Sequence, residues 1–215
     1  MTLNGDATLA VIFSIFFMSV LSGCGSISTS IVQPDLPEDN LDTWLKERES
    51  KIPGIKPGTE KTIIWAGDPN KKTQFSIIYI HGFSANRKET APVFDRLAEK
   101  LGANIFYTRL KGHGRGSYAM KNATFNDWLN EVWEAWEIGK RIGEEVIVVG
   151  MSTGAPLVSW LSTQVTGIKA LILLSPNFGL ADKRSNMILG FGGRIITRII
   201  AGKYMSFKAL NDLHK

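Results

Sequence analysis

Residues 146–154, VIVVGMSTG, constrain the fold of this 215-residue chain more than any other segment. Three β-branched valines and an isoleucine lead directly into a G-x-S-x-G pattern, and the apolar residues 155–163 that follow predict a helix. A serine in a sharp turn between a strand and a helix is typical of a nucleophile elbow, in which the glycines permit the turn. Ser152 is therefore the candidate nucleophile. The alternative is a glycine-rich turn with an incidental serine.

Short apolar runs alternate with helical patterns from residue 61 onward. The patterns predict strands at 62–65, 75–80, 104–110, 145–149 and 169–174, and helices at 41–51, 90–101, 127–142 and 155–163. Buried strands that alternate with amphipathic helices predict an α/β fold with a mostly parallel sheet covered on both faces. Residues 24–60 precede this core as a polar extension, and residues 26–40, with two prolines, are typical of a tether between a lipid anchor and the domain.

Two histidines stand beside glycines at the ends of predicted strands. The sequence HGFS at 81–84 follows the strand at 75–80. The loop after such a strand supplies one of two backbone N–H donors that stabilise an oxyanion, and the residue after the nucleophile supplies the other. Phe83 and Thr153 are the candidate donors. We expect His81, and His113 in the glycine-flanked sequence KGHG, to shape turns and not to act as a general base.

Four ordered motifs carry a resemblance to a known family. HGFSAN at 81–86, RLKGHG at 109–114, a helix containing Asp-Trp and GMSTG at 150–154 resemble the α/β hydrolases, most of all their lipase, esterase and monoacylglycerol-lipase-like members, also described as serine-aminopeptidase S33-like. The similarity covers residues 61–177. It implies a three-layer α/β-hydrolase fold, Ser152 as nucleophile, Phe83 and Thr153 as oxyanion donors, and a cap over an acyl pocket from residue 177 onward. The implied chemistry uses no cofactor and no metal.

The resemblance also implies a catalytic acid and a histidine, in that order after the serine. In the family these follow further strands, and no such strands are predicted after residue 174. The remaining triad candidates are Asp182 and His214, which are otherwise a loop acid and a terminal residue. Three readings stay open: a hydrolase of carboxylic esters, a C-terminally truncated and inactive hydrolase-fold lipoprotein, and a peptidase or acyltransferase of the same fold.

The N-terminal residues predict export and a lipid anchor. Residues 7–21 are apolar and have the length of a signal-peptide core, which is short for a membrane span. The sequence LSGC at 21–24 resembles a bacterial lipobox, and Cys24 is the only cysteine. We therefore expect residues 1–23 to be a signal peptide and Cys24 to be acylated, for example with palmitate. The alternative is a plain signal anchor, because residues 1–6 lack the usual basic charge.

Charge and composition narrow the expected partners. The net charge of +5 is concentrated in residues 182–215, which hold seven Lys or Arg and two Asp. Residues 178–215 form a basic, amphipathic segment that predicts a cap helix, a membrane-surface helix or an ordinary helix over the core. No nucleic-acid motif accompanies the basic charge. We expect a small-molecule or lipid ester as substrate, and the bacterial cell envelope as location, with Gly25 after the cysteine favouring the outer membrane. The oligomeric state stays open.

Overall fold

The computed structural model of the chain describes residues 29–179. Cys24, Asp182 and His214 lie outside these residues, as do the expected signal peptide and nearly all of the basic segment 178–215. No helix within residues 29–179 is long and apolar enough to cross a bilayer.

The described chain alternates strands and helices as the sequence predicts. The helices are α1 (Leu41–Ser50), α2 (Val93–Leu101), α3 (Phe125–Ile142) and α4 (Gly154–Gln164). The strands are β1 (Thr62–Ile64), β2 (Thr73–Ile80), β3 (Asn104–Tyr107), β4 (Gly143–Met151) and β5 (Ile168–Leu174). Two short 3-10 helices, Arg87–Thr90 and Ser117–Asn122, lie in the loops that follow β2 and β3.

The strands form one five-stranded sheet in the order β1-β3-β2-β4-β5. β1 is antiparallel to β3, and every other neighbouring pair is parallel. In the register, Tyr79 of β2 pairs with Tyr107 of β3, and Ile80 pairs with Gly150 of β4. The carboxyl ends of β2 to β5 therefore meet at one edge of the sheet, here called the carboxyl edge. The predicted α/β fold with a mostly parallel sheet is confirmed.

Helices pack on both faces of the sheet. The face that carries Ile78 and Ile80 is covered by α1, α3 and α4, and the face that carries Ile77 and Tyr79 is covered by α2. Successive side chains of β2 thus pack into the hydrophobic clusters on opposite faces of the sheet, because side chains alternate between the two faces of a strand. The three layers position the loops at the carboxyl edge.

The two largest differences from the predicted element boundaries, of three residues each, have local causes. Helix α2 begins at Val93, three residues after the predicted start, because Ala91 precedes Pro92 and has an extended backbone. Strand β3 ends at Tyr107, three residues early. The chain turns there, and Arg109 becomes almost fully buried against Glu49.

The polar N-terminal segment differs more from its expectation. Ser30 N–H donates to Asn126 Oδ1 at 3.1 Å, and Val32 N–H donates to Asn130 Oδ1 at 2.7 Å. Both amides lie in the first two turns of α3, one turn apart, so they form a ladder that the backbone of the segment follows. Composition predicts a tether here, and the structure adds that side chains of α3 bind its backbone.

Further contacts continue this arrangement along the whole helix. Trp133 Nε1 donates to Gln33 Oε1 at 3.1 Å, and Arg141 in the last turn of α3 donates to the carbonyl oxygen of Glu38. Ile31 and Leu36 pack against the hydrophobic core. Residues 30–38 are therefore called the strap. It runs parallel to α3, from the first turns of the helix to its last.

Candidate active site

Ser152 occupies a strained turn between β4 and α4. Its φ of 49° is left-handed, a region that costs a non-glycine residue about 1–3 kcal/mol and persists only where the surroundings enforce it. Ser152 N–H donates to Leu174 O at 2.9 Å, while its carbonyl oxygen accepts from Ala155 N–H at 3.1 Å and Asn177 N–H at 3.2 Å. Hydrogen bonds from α4 and from the end of β5 hold the serine in this conformation.

The two glycines of the turn are fixed by close packing. A Cβ atom at Gly150 would lie 2.5 Å from Val158 Cγ2 and 2.7 Å from Ala155 Cα. A Cβ atom at Gly154 would collide with the carbonyl oxygen of Ile80. No side chain fits at either position, so strand, turn and helix approach as closely as a nucleophile elbow requires.

The loop after β2 lies directly beside the serine. A Cβ atom at Gly82 would be 3.2 Å from Ser152 Cβ and 3.2 Å from Glu89 Oε2. The two motifs HGFSAN and GMSTG, which are 68 residues apart as measured from Gly82 to Gly150, therefore meet at one point of the carboxyl edge.

The two candidate oxyanion donors flank this meeting point. Thr153 is the N-cap residue of α4, so its N–H lies at a helix N-terminus, where backbone donors and the helix dipole favour negative charge. Phe83 follows Gly82, and its ring contacts the rings of His113 at 5.8 Å and Trp128 at 6.4 Å. The structure thus brings Ser152, Thr153 and the 82–84 loop together.

Glu89 is a site residue that sequence reasoning missed. Its Oε1 accepts from Gly82 N–H at 2.8 Å and from Tyr79 O–H at 2.9 Å. Burial raises the pKa of Glu89, and the two donated hydrogen bonds oppose that rise. By holding the amide of Gly82, the carboxylate fixes the backbone that leads into Phe83. The only sequence signal is an acid shortly after a glycine turn, since the contact depends on how the loop folds back through Arg87–Thr90.

His81 shapes the loop, as predicted. Its side chain is completely buried, Nδ1–H donates to Gly82 O at 2.8 Å, and Nε2 accepts from Leu110 N–H at 3.0 Å. Burial, together with the nearby His113 and Arg109, lowers the pKa of His81 to about 3. The imidazole is neutral and both ring nitrogens bind backbone, so it is unavailable as a general base.

His113 also belongs to a turn. Nδ1–H donates to Leu110 O at 3.2 Å, the ring packs 4.8 Å from the ring of His81, and burial lowers the pKa of His113. Nε2 is buried without a hydrogen-bond partner among the described residues. Within residues 29–179, no three histidine, acidic or cysteine side chains are grouped as a metal site requires. The triad candidates Asp182 and His214 lie outside the described residues.

Buried charged side chains stabilise the RLKGHG turn at residues 109–114. Arg109 donates to both carboxylate oxygens of Glu49, at 2.7 and 2.8 Å, and to the carbonyl oxygen of His113 at 3.3 Å. The Arg109 guanidinium helps to lower the pKa of Glu49, overcoming the effect of burial. A paired, hydrogen-bonded charge is the form in which burial is tolerated. Helix α1, which carries Glu49, is in this way fixed to the turn.

Two carboxylates of α3 complete the network. Lys61 donates to Glu134, and its ammonium is 3.9 Å from Glu131 Oε1. Glu131 Oε2 accepts from the backbone N–H of Lys111 in the turn at 2.6 Å. Burial raises the pKa of Glu131 to about 7, although Lys61 and the bond from Lys111 oppose the rise.

The chain is similar to known proteins. The chain matches the family described as serine aminopeptidase, S33, over residues 71–213. It is 31% identical over 86 residues to a thermostable monoacylglycerol lipase from Bacillus sp. (strain H-257), a match that covers 40% of this chain and 34% of that protein. The match therefore spans about a third of the length of the lipase.

The chain is also similar to solved structures. A structure from the metagenome-derived lipolytic enzymes LipS and LipT has a TM-score of 0.51 and 19% identity, covering 62% of this chain and 52% of that one. A soluble variant of the monoglyceride lipase from Saccharomyces cerevisiae has a TM-score of 0.49 and 16% identity, covering 83% and 55%. The chain thus spans about half the length of these structures.

The family match extends over more than half of the chain and includes the loop after β2 and the turn at Ser152. The structural likeness to the lipolytic enzyme independently shows the three-layer fold. The chain belongs to the serine aminopeptidase S33 family and has the α/β-hydrolase fold.

Proposed function

We propose that the protein is a serine hydrolase of carboxylic esters. Ser152 Oγ attacks the ester carbonyl, the backbone N–H groups of Phe83 and Thr153 stabilise the oxyanion, the alcohol leaves, and water releases the acid from the acyl-enzyme. The observation that supports this most is the strained Ser152 with its φ of 49°, placed beside the 82–84 loop. A buried serine hydroxyl would not need such a turn, and strain of this kind is typical of functional sites.

The general base must come from outside the two described histidine turns. His81 uses both ring nitrogens on backbone groups, and His113 donates to backbone from Nδ1 and is buried. Asp182 and His214 remain the candidates for acid and base within this chain. Without a base, only residual catalysis from the oxyanion hole and substrate binding is expected.

We propose lipid acyl esters as the substrate class. The relative from Bacillus is a monoacylglycerol lipase, and its match supports an acyl-ester substrate for this chain. Large aromatic side chains in the segments at the carboxyl edge are exposed, namely Phe83, Tyr118, Phe125 and Phe178. Such a surface suits an apolar acyl chain better than a polar peptide. A panel of matched esters, amides and acyl acceptors tests the choice, because faster amide cleavage or acyl transfer would point to a peptidase or an acyltransferase.

We propose further that Cys24 is acylated and holds the protein at a membrane of the cell envelope. The sequence LSGC, after an apolar run of signal-peptide length, supports this. Intact-mass analysis and membrane fractionation test the anchor. Acylated protein in the membrane fraction is the expected result, and Cys24→Ser should move the protein to the soluble fraction.

A fluorophosphonate probe tests the nucleophile. The wild-type chain should be labelled, and Ser152→Ala should lose the label completely. Ser162→Ala is the matched control, since Ser162 is an exposed serine of α4 that donates to Ser159 O at 2.7 Å and should leave labelling unchanged. Absence of labelling in folded wild-type protein would overturn the proposed chemistry.

A second candidate is a hydrolase-fold lipoprotein without catalytic activity. The neutral, backbone-bound His81 and the buried His113 favour it, because neither provides a base. It predicts a folded, membrane-bound protein that no fluorophosphonate labels and that hydrolyses no ester above the background rate.

A further inference from the structure

The direction of the strap bears on how the protein meets a membrane. Helix α3 leads directly into β4, whose first residue Gly143 pairs with Thr73 at the start of β2. Helix α3 therefore ends at the edge opposite the carboxyl edge and begins at the carboxyl edge. Trp128, near its start, contacts Phe83 beside the elbow.

The strap enters the described structure at that same edge. Ser30 is bound by Asn126 through its N–H and by Asn130 through its carbonyl oxygen, both in the first turns of α3. The other end of the strap, at Glu38, lies at the last turn of the helix, beside Arg141. The residues that precede Ser30 therefore start from the carboxyl edge, and not from the opposite edge.

Chain length limits where the anchor can lie. Cys24 is six residues before Ser30, a span of about 20 Å when fully extended. Helix α3 has 18 residues and is about 27 Å long. With the strap bound, six residues are too few to run back along α3 and past the opposite edge. A bilayer that holds an anchor at Cys24 therefore cannot lie against the opposite edge while the strap is bound.

The carboxyl edge has the chemistry of a membrane-facing surface. The loop at 111–122 holds three cations, Lys111, Arg115 and Lys121, and no acid. Lys111 pairs with Asp127 of α3 at 2.7 Å, so the loop and this acid together carry a net charge of +2. Tyr118 in the same loop is 80% exposed, and Phe125 at the start of α3 is 48% exposed. Amphipathic aromatics and basic residues together suit the headgroup region of an anionic bilayer.

The opposite edge lacks this combination. Lys72 at that edge pairs with Glu144 at 3.6 Å, and Lys71 pairs with Asp68 at 3.0 Å. Cations and acids alternate there, so the edge offers no net attraction to anionic lipid.

We propose that the strap orients the carboxyl edge, and with it Ser152, toward an anionic bilayer in which Cys24 is anchored. The inference rests on the proposed acylation of Cys24 and deepens the proposed ester hydrolysis: substrate enters from the membrane to which the enzyme is attached. The strap is a positioning element for a lipid substrate and takes no part in bond breaking.

Site-specific fluorescence on the full acylated chain tests the orientation. Acylation consumes the Cys24 thiol, so one introduced cysteine carries the label. Asn122→Cys reports on the carboxyl edge and Glu144→Cys on the opposite edge, and both native side chains are exposed. In phosphatidylcholine–phosphatidylglycerol vesicles with a headgroup quencher, we expect several-fold stronger quenching at position 122 than at 144. Equal quenching, or stronger quenching at 144, would overturn the orientation.

Release of the strap gives an independent test. Asn126→Ala combined with Asn130→Ala should bring quenching at the two positions close together. The same variant should hydrolyse an ester embedded in vesicles several-fold more slowly and a soluble ester at the wild-type rate. Gln164→Ala, an exposed amide of α4, is the control and should change none of these values. Unchanged quenching in the double variant would show that the strap does not set the orientation.

These outcomes separate the orientation from the proposed function. Preferential quenching at 122 without ester hydrolysis would contradict the chemistry and support the orientation. Ester hydrolysis with equal quenching at positions 122 and 144 would support the chemistry and contradict the orientation. A chain with unmodified Cys24 that does not bind vesicles would overturn the anchor and the orientation together, while soluble-ester hydrolysis would still decide the chemistry.

Discussion

The elbow around Ser152 and the strap along α3 are both held by hydrogen bonds to the backbone, but they are built in different ways. The elbow depends on excluded volume, because Gly150 and Gly154 leave no space for a single added carbon. The strap depends on side-chain amides in exposed positions, which water can replace. A small change should therefore disrupt the elbow and only loosen the strap.

The largest effect should come from Gly154→Ala. The added methyl group would collide with Ile80 O and lie 2.9 Å from His81 O, so β4 and α4 must separate from β2. We expect a loss of at least about 3 kcal/mol in the free energy of unfolding and complete loss of fluorophosphonate labelling. Urea denaturation measures the first and gel fluorescence the second.

Gly116→Ala is the matched control, because a Cβ atom there would meet nothing within 4 Å. The control should stay within about 0.5 kcal/mol of wild type. A Gly154→Ala variant as stable as this control would show that the elbow tolerates added volume, and the contrast with the strap would fail.

The next effect should come from Glu89→Gln. The amide keeps an oxygen for Gly82 N–H and Tyr79 O–H but loses the negative charge that strengthens both bonds. Because Gly82 leads into the proposed oxyanion donor Phe83, we expect kcat to fall about tenfold or more, with a small change in KM. Steady-state kinetics on a soluble ester measures both constants.

The reading of Glu89 as a positioning residue would fail if the variant raised KM and left kcat unchanged. Glu137→Gln, on α3 and paired with Lys140 at 2.8 Å, is a charge-matched control that should alter neither constant.

A smaller effect should appear as a dependence of stability on pH. Burial raises the pKa of Glu131 from 4.5 to about 7, so the folded state holds a proton that the unfolded state releases between these values. This contribution to stability is fully present below pH 4.5 and is lost as pH rises through about 7. Glutamine does not ionise, so Glu131→Gln keeps this contribution at every pH. Between pH 5 and pH 8 the free energy of unfolding of the variant should therefore rise by about 1–3 kcal/mol relative to that of wild type.

Chemical denaturation of both proteins across this pH range measures the difference. Parallel stability curves would show that the Glu131 carboxyl titrates normally.

The smallest effect should come from Asn130→Ala in the strap. Val32 N–H loses its amide partner, and Ser30 O loses one of its two amide donors but keeps Asn126. Both lie at exposed contacts and can bind water. We expect the free energy of unfolding to fall by about 0.5–1 kcal/mol, and the rate of hydrolysis of a soluble ester to stay unchanged. Hydrogen exchange at residues 30–33 should accelerate. A loss comparable to that of Gly154→Ala would mean that the strap belongs to the cooperative core.

Local patterns made the fold and the elbow accessible to sequence analysis. The valine-rich run before Ser152 and the glycines beside it place strand, turn and helix within about ten residues, and the predicted sheet is confirmed. The glycines directly beside His81 and His113 likewise indicated that both histidines shape turns. Their backbone partners, Gly82 and Leu110, bear this out.

The features that sequence analysis missed depend on contacts between distant residues. Glu89 reaches Gly82 only because the loop folds back on itself, and Glu49 meets Arg109 across 60 residues. The strap has the composition of a linker, and the two asparagines that bind it lie about 100 residues away. Hydrophobic periodicity carries no information about such pairs, since polar partners leave the apolar pattern of α3 unchanged.

Ser152 is, in our proposal, a nucleophile that its strained turn holds in a reactive conformation. Mass spectrometry of the fluorophosphonate-treated, full-length protein tests it directly, by locating the adduct on a peptide that contains Ser152. We predict one adduct at Ser152 that forms at a saturable rate and is absent from Ser152→Ala. A folded wild-type protein that carries no adduct, or carries it on another serine, would contradict the claim.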